Sequence, residues 1–348
     1  MPRALSRQSL LLVYLLALAL LWGNAYFLLV NHPAAYTVDE QHYQRMAQGD
    51  FKVPVPHRYR VVVPLLAGGL AHGARGVANL ISPADKPPFG FSFFLVNTLL
   101  LAGAGLVAFR TARAAGAAAG PALLGMAALL TCGAATSVTG LLLADSAVVL
   151  AVALLYYAIH ARSAPALLTV LVLGPVLDEF FLLFLPLAVL YGGFVRWRPR
   201  LLALAGGLLL LVAVHWAVEA NEAPTTLGNS ISPTLDYSRS LVSNLNWRLL
   251  LRGLGAWAGV YGLFNLILLT GFWGGTASIG QWLRPLRPGP TLLLLLAVLA
   301  LLLLSGETNR LVLAGPAVVV AVALVLDRHP LFGPLRQSVS SAAKPETE

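Results

Sequence analysis

SLLLVYLLALALLWGNAYFLLV, residues 9–30, carries no charged side chain over 22 positions. Lipid offers no partner to backbone N–H and C=O groups, so a run of this length is stable there only as a closed helix. Arg3 and Arg7 precede it and no clear small-residue cleavage site follows, so it reads as a retained first span rather than a signal peptide. Similar runs recur through the 348 residues, which are 58% hydrophobic and only 11% charged. A soluble domain carries about 25% charge. The chain therefore reads as all-α, a polytopic membrane helical bundle.

Hydropathy windows place spans at roughly 9–30, 89–109, 121–143, 146–160, 165–177, 180–195, 201–218, 253–273, 291–305 and 310–326, about ten in all. They form a single transmembrane domain over 1–336. A first outer loop lies at 31–88, a second large one at 219–252, and 337–348 reads as a disordered tail. The apolar stretch from Val61 to Ile81 is interrupted by Pro64, Gly68-Gly69 and His72-Gly73 and reads as interfacial or re-entrant.

Charge orients these segments. Arg3, Arg7, Arg110, Arg113, Arg162, Arg196, Arg198, Arg200, Arg284, Arg287, Arg328, Arg336 and Lys344 fall on one side, with Asp327, Glu346 and Glu348 as its only acids. The positive-inside rule makes that side cytoplasmic and puts both termini there, in a bacterial inner (plasma) membrane. The net charge of +9 is thus spread through short loops. No basic patch with interleaved aromatics appears, which argues against nucleic acid as a partner. The single cysteine, Cys132, excludes an intrachain disulfide or thiol pair. No Walker A, G-x-S-x-G or H-E-x-x-H pattern occurs.

Eleven of the fourteen acids fall on the opposite side, where spanning a bilayer does not require them. Thr37-Val38-Asp39-Glu40 has the form of a capping box and predicts an amphipathic surface helix running to about Gly49. At helical spacing Asp39, Tyr43, Met46 and Ala47 share a face, read as the one turned toward the protein. Glu40, Gln44 and Gln48 share another. A carboxylate half-buried at the membrane face is suited to general-base work, which makes Asp39 and Glu40 the catalytic candidates. Glu40 can equally serve only to close the capping box, and Asp39 only to favour the helix dipole.

Pro54 and Pro56 force an extended piece that delivers His57, Arg58 and Arg60 just outside the bilayer. Guanidinium groups there can grip phosphate or snorkel to headgroups. Asp145 stands where a span emerges. Asp178-Glu179 separates two apolar half-spans. Glu307 and Arg310 are spaced i, i+3 before the last span. Ionisable groups at such depths are functional candidates, so Asp145, Glu179, Glu307 and Arg310 join the substrate-binding set, with helix capping and simple pairing as the plainer alternatives. Two adjacent carboxylates also leave Mg2+ or Mn2+ open as a cofactor. No metal ligand is assigned.

In this arrangement the chain resembles the GT-C superfamily of integral-membrane glycosyltransferases. The matching residues are Thr37-Val-Asp39-Glu40-Gln-His-Tyr43 and Pro56-His57-Arg58-Tyr59-Arg60-Val-Val-Val-Pro64, with Asp145, Glu307 and Arg310 in a similar style. The likeness covers most of the chain as architecture and about 30 residues as motif. It implies a sugar donor linked to polyprenyl phosphate and inverting transfer on the outer face to a glycan, lipid or protein acceptor. Asp39 would be the base, and Arg58, Arg60 and Arg310 the phosphate contacts. The chain lacks the large soluble C-terminal domain that many members carry, and no sugar-recognition motif is evident. A transporter or flippase of a lipid-linked or anionic substrate is the alternative, suggested by the Gly174-Pro175 break before Asp178. A non-catalytic scaffold is a third reading.

Overall fold

The computed structural model describes residues 6–31, 37–54, 57–81, 88–220, 247–305 and 307–333. Most of the 219–252 loop and the whole 337–348 tail lie outside the described residues. Within them the protein is helical and contains no strand.

The first spans are α1 (Arg7–Asn31) and α4 (Phe89–Ala114). Between them come α2 (Val38–Ala47), a 3-10 turn at His57–Tyr59, and α3 (Val62–Ile81). α5 (Ala119–Leu130) and α6 (Gly133–Gly140) follow, then α7 (Asp145–Ala161), α8 (Ala164–Leu177), a 3-10 segment at Glu179–Phe184, α9 (Leu185–Tyr191) and α10 (Trp197–Glu219). The last part of the bundle consists of helices Trp247–Tyr261, Leu263–Thr270, Gly275–Leu286 and Pro288–Ser305, then the 3-10 turn Thr308–Ala314 running into Gly315–Arg328.

The final helix and α4 are the centre. Of the most apolar window of Thr308–Arg328, 89% is buried, against 17% for α1 and for α10. α4 packs on α1, α3, α5 and α7, and α8 packs on α7 and α10. The outer helices expose Leu11, Leu12, Phe27, Leu202, Leu209 and Trp216. Such contiguous apolar faces are untenable in water and ordinary in hydrocarbon. Close packing relies on small residues. A Cβ on Gly207 of α10 would stand 2.4 Å from the Leu171 carbonyl oxygen of α8.

Each segment placed from sequence is largely helical, but the structure supports fewer than ten full-length spans. Five helices are long and apolar enough to cross a bilayer, and seven if each of two bent pairs counts as one span. The pairs are α5–α6, bent by 59°, and Leu251–Tyr261 with Leu263–Thr270, bent by 97° at Gly262. The segments at 146–160, 165–177 and 180–195 form shorter helices. α8, with 14 residues, is about 21 Å long against a core of about 30 Å. Pro175 lies inside the end of α8, and the extended backbone of Asp178 ends it, at the interruption between the 165–177 and 180–195 segments.

The region 61–81 also resolves. Despite its glycines it is one helix, with Pro64 in the first turn where its missing N–H costs nothing. A Cβ on Gly68 would lie 2.2 Å from the Ala47 carbonyl oxygen, so glycine is what lets α3 reach the end of α2.

Candidate functional site

The capping box forms as the sequence predicts. Thr37 is the N-cap, its hydroxyl accepts from the Glu40 N–H, and Glu40 Oε2 accepts from the Thr37 N–H at 2.9 Å. The facing of the helix is reversed at its start. Glu40 is the fully buried residue, grouped with Tyr43, Met46 and Ala47, whereas the Asp39 side chain remains 51% exposed. Glu40 Oε1 accepts from the Leu142 N–H at 3.2 Å in the loop before α7. Both of its oxygens are therefore engaged in holding α2 in place.

Asp39 heads a chain of polar groups. His57 Nε2 lies 3.4 Å from Asp39 Oδ1, and His57 Nδ1 is 3.2 Å from the Tyr43 hydroxyl. That hydroxyl accepts from Arg60 Nη1 at 3.0 Å. Burial, then the neighbouring Arg60 charge, depress the His57 pKa below its ordinary 6.5, although Asp39 and Glu307 oppose them. Burial likewise pushes the Tyr43 phenol up and keeps it protonated.

Beneath this chain the ends of four segments meet. Asp178, N-cap of the 3-10 segment that follows α8, accepts on Oδ1 from the Phe180 N–H at 2.9 Å. Its Oδ2 is shared by Arg310 Nη1 at 2.8 Å and Arg60 Nε at 3.3 Å. Arg310 Nη1 also lies 2.7 Å from Asp145 Oδ1 at the start of α7, as a charge contact rather than an aligned hydrogen bond. Arg310 Nε donates to Glu307 Oε2 at 2.8 Å, the i, i+3 pair seen in the sequence. Burial raises the Glu307 pKa, but Arg310 and Arg60 outweigh it and hold the carboxyl below its usual 4.5.

Exposure falls from 30% for the Glu307 side chain and 14% for His57 to 5% for Arg60 and 1% for Arg310, so the site opens on one side only. Arg60 Nη2 and Arg310 Nη2, both buried, have no hydrogen-bond partner among the described residues. An unsatisfied buried donor costs about 1–3 kcal/mol, and more when charged. The two arginines that carry these donors share Asp178 Oδ2 through other nitrogens, Arg310 Nη1 and Arg60 Nε, which leaves both Nη2 groups able to donate to a further acceptor.

Three of the sequence-derived candidates lie apart from this centre. Arg58 turns its Nε to the Val53 carbonyl at 2.8 Å. Glu179 faces His215 Nε2 of α10 at 2.9 Å, in a neighbouring cluster where Tyr59 stacks on His215 with centroids 3.6 Å apart and donates to Glu219. Glu40 is buried at the start of α2, bonded to the Thr37 and Leu142 N–H groups. In its place Asp178, Tyr43 and His215 emerge as polar centres. His215 was legible as an ionisable residue inside an apolar helix, a pattern that marks function or pairing. Asp39 and Glu40 point in different directions and so do not make a joint cation ligand. Among the described residues no three His, Cys, Asp or Glu side chains converge as a metal site. Comparison with protein-family models, with curated proteins and with solved structures finds no match to this chain.

Proposed function

We propose that the protein is a membrane glycosyltransferase of GT-C type that moves a sugar from a polyprenyl-phosphate donor to an acceptor hydroxyl on the outer face of the membrane. The observation that carries the reading is the pair of buried, unpartnered Nη2 groups on Arg60 and Arg310 beneath an exposed carboxylate, Asp39. A lipid-borne donor needs its phosphate held at the bilayer face and its acceptor activated from the solvent side. The burial gradient runs in that order. α2 would lie at that face.

Asp39 takes the proton of the acceptor hydroxyl, whose oxygen attacks the anomeric carbon. The bond from that carbon to the phosphate oxygen breaks, and the electron pair leaves with the phosphate. The developing charge meets the two Nη2 donors, fixed in advance by Asp178, Asp145, Glu307 and Tyr43. A single displacement inverts the sugar. Asp145, Asp178 and Glu307 outnumber the two arginines, leaving the inner cluster at a formal −1. That balance favours a phosphodiester donor with one charge over a diphosphate.

The test uses protein in mild detergent with polyprenyl-phosphate sugars. Asp39→Asn should lose transfer by about 10²-fold or more, the usual worth of a general base, while native mass spectrometry still shows the bound donor. Arg60→Gln should lose the donor itself. Full activity of a folded Asp39→Asn protein overturns the proposal. The breaks at Asp178 and Glu307, where the buried charges gather, favour one second reading, a transporter of an anionic substrate. Uptake into proteoliposomes that Asp178→Asn abolishes, without any transfer activity, would select it.

A further inference from the structure

The opposite end of the bundle carries a second arrangement that the proposed chemistry does not use. α7 starts at Asp145 and ends about 25 Å away at Ala161. Its C-cap is Arg162, with φ of 50°. The helix Gly275–Leu286 ends on Arg287, with φ of 54°. Among the described residues these are the only non-glycine positions with positive φ. The left-handed region costs an ordinary residue about 1–2 kcal/mol, and helix C-caps usually escape that cost with glycine. The helix dipole explains a cation at either cap. It does not explain why the two strained arginines converge.

Arg162 and Arg287 line one cavity of about 680 Å³ together with Tyr191 and Pro288-Gly289-Pro290 at the start of the helix Pro288–Ser305. The position of Arg287 is fixed by a bond from Nη1 to the Ile159 carbonyl at 2.9 Å. Gly289 packs so near Tyr191 that a Cβ would stand 2.5 Å from the phenolic oxygen. On the other side of Pro288 and Gly289 lies an apolar cavity of about 450 Å³, walled by Trp257, Phe272, Trp282, Leu292 and Leu295. Phe272 and Leu292 are exposed at its rim. A basic pocket and an apolar pocket thus share one wall.

We propose that this pair of cavities is a binding site for an anionic phospholipid. Its phosphate sits between Arg162 and Arg287, and one acyl chain lies in the Trp257–Trp282 cavity. The charge of the first cavity selects an anion, and the apolar walls of the second select a chain-bearing one. The inference rests on the fold alone and stands whether or not the protein transfers sugars.

The test is native mass spectrometry of the purified protein with equal amounts of dioleoyl-phosphatidylglycerol and dioleoyl-phosphatidylcholine, beside thermal melting in nanodiscs of each lipid. Wild type should retain phosphatidylglycerol preferentially and melt higher with it. Arg162→Gly should lower that preference about five-fold, the worth of one basic group beside an anionic headgroup. Because glycine relieves the positive φ, its melting in phosphatidylcholine should not fall, which separates lost binding from lost folding. Arg287→Lys keeps the charge and should keep most of the preference. Leu295→Trp, which fills the apolar cavity, should weaken retention of both lipids. Equal retention of the two lipids by wild type, a preference that survives Arg162→Gly, or stabilisation by inorganic phosphate equal to that by phosphatidylglycerol would overturn the proposal.

Discussion

Asp178 meets Arg60, Arg310 and the Phe180 N–H at once, and its importance was only half visible in the sequence. The dipeptide Asp178-Glu179 stood out between apolar runs, but adjacent side chains at the start of a helical segment diverge by about 100°, and sequence does not say which one turns inward. The same ambiguity separates Arg58 from Arg60, and Asp39 from Glu40. Tyr43, Met46 and Ala47 are inward on either reading of α2. The choice between 39 and 40 was made by the Leu142 N–H, a tertiary partner 102 residues away. Two expectations belong at this scale. Arg310→Gln removes the cation from Asp145, Asp178 and Glu307, and should destabilise the protein by about 3–5 kcal/mol, the cost of breaking a buried ion pair, read as a lowered melting temperature. The second concerns His57, whose folded pKa lies below 6.5. Below pH 6.5 the unfolded chain takes up a proton before the folded one does. The His57 contribution to stability is therefore intact above that pH and is lost as pH falls toward the folded value. An imidazole titration followed by NMR should give a midpoint under 6.5, and His57→Gln should remove the corresponding acid limb from the melting profile.

At the scale of elements, local chemistry was the most legible. The capping box of Thr37 and Glu40 formed as written because both of its bonds lie within four residues. The break at Asp178 was legible from its charge between apolar runs, whereas the bend at Gly262 inside the 253–273 window was not, because no charged residue interrupts that window. The break at Asp178 matters more to the site, because it brings a charged cap to the end of a short helix. Thr37→Ala should cost about 1 kcal/mol, the usual worth of an N-cap, measured by denaturation in detergent. It should also reduce activity, because α2 carries Asp39. Gly68→Ala should do more damage, since the added methyl meets the Ala47 carbonyl and pushes α2 away from α3. A variant that melts like wild type and keeps full activity would show that this close approach is dispensable.

For the whole molecule, composition alone announced a helical membrane protein, and the exposed leucine faces of α1 and α10 agree with it. Which helices form the centre was not legible, because apolar residues facing lipid and apolar residues facing other helices read alike. Only packing distinguishes the buried final helix from the exposed first one. That central position of the last helix has a consequence for biogenesis. Among the described residues Arg310 Nη1 alone contacts both Asp145 and Asp178, and it is synthesised after the helices that carry them. Until then the nascent chain holds two carboxylates without their shared counter-ion at the mouth of an unfinished bundle. A chain halted before Arg310 thus leaves the buried Asp145 and Asp178 without the cation they share, which destabilises the packing around them. Pulse-chase of a product ending at Ser305 should show turnover much faster than full length, slowed by Asp145→Asn with Asp178→Asn. The final helix acts as the keystone of assembly: its arginine is the cation that ties the start of α7 to the end of α8.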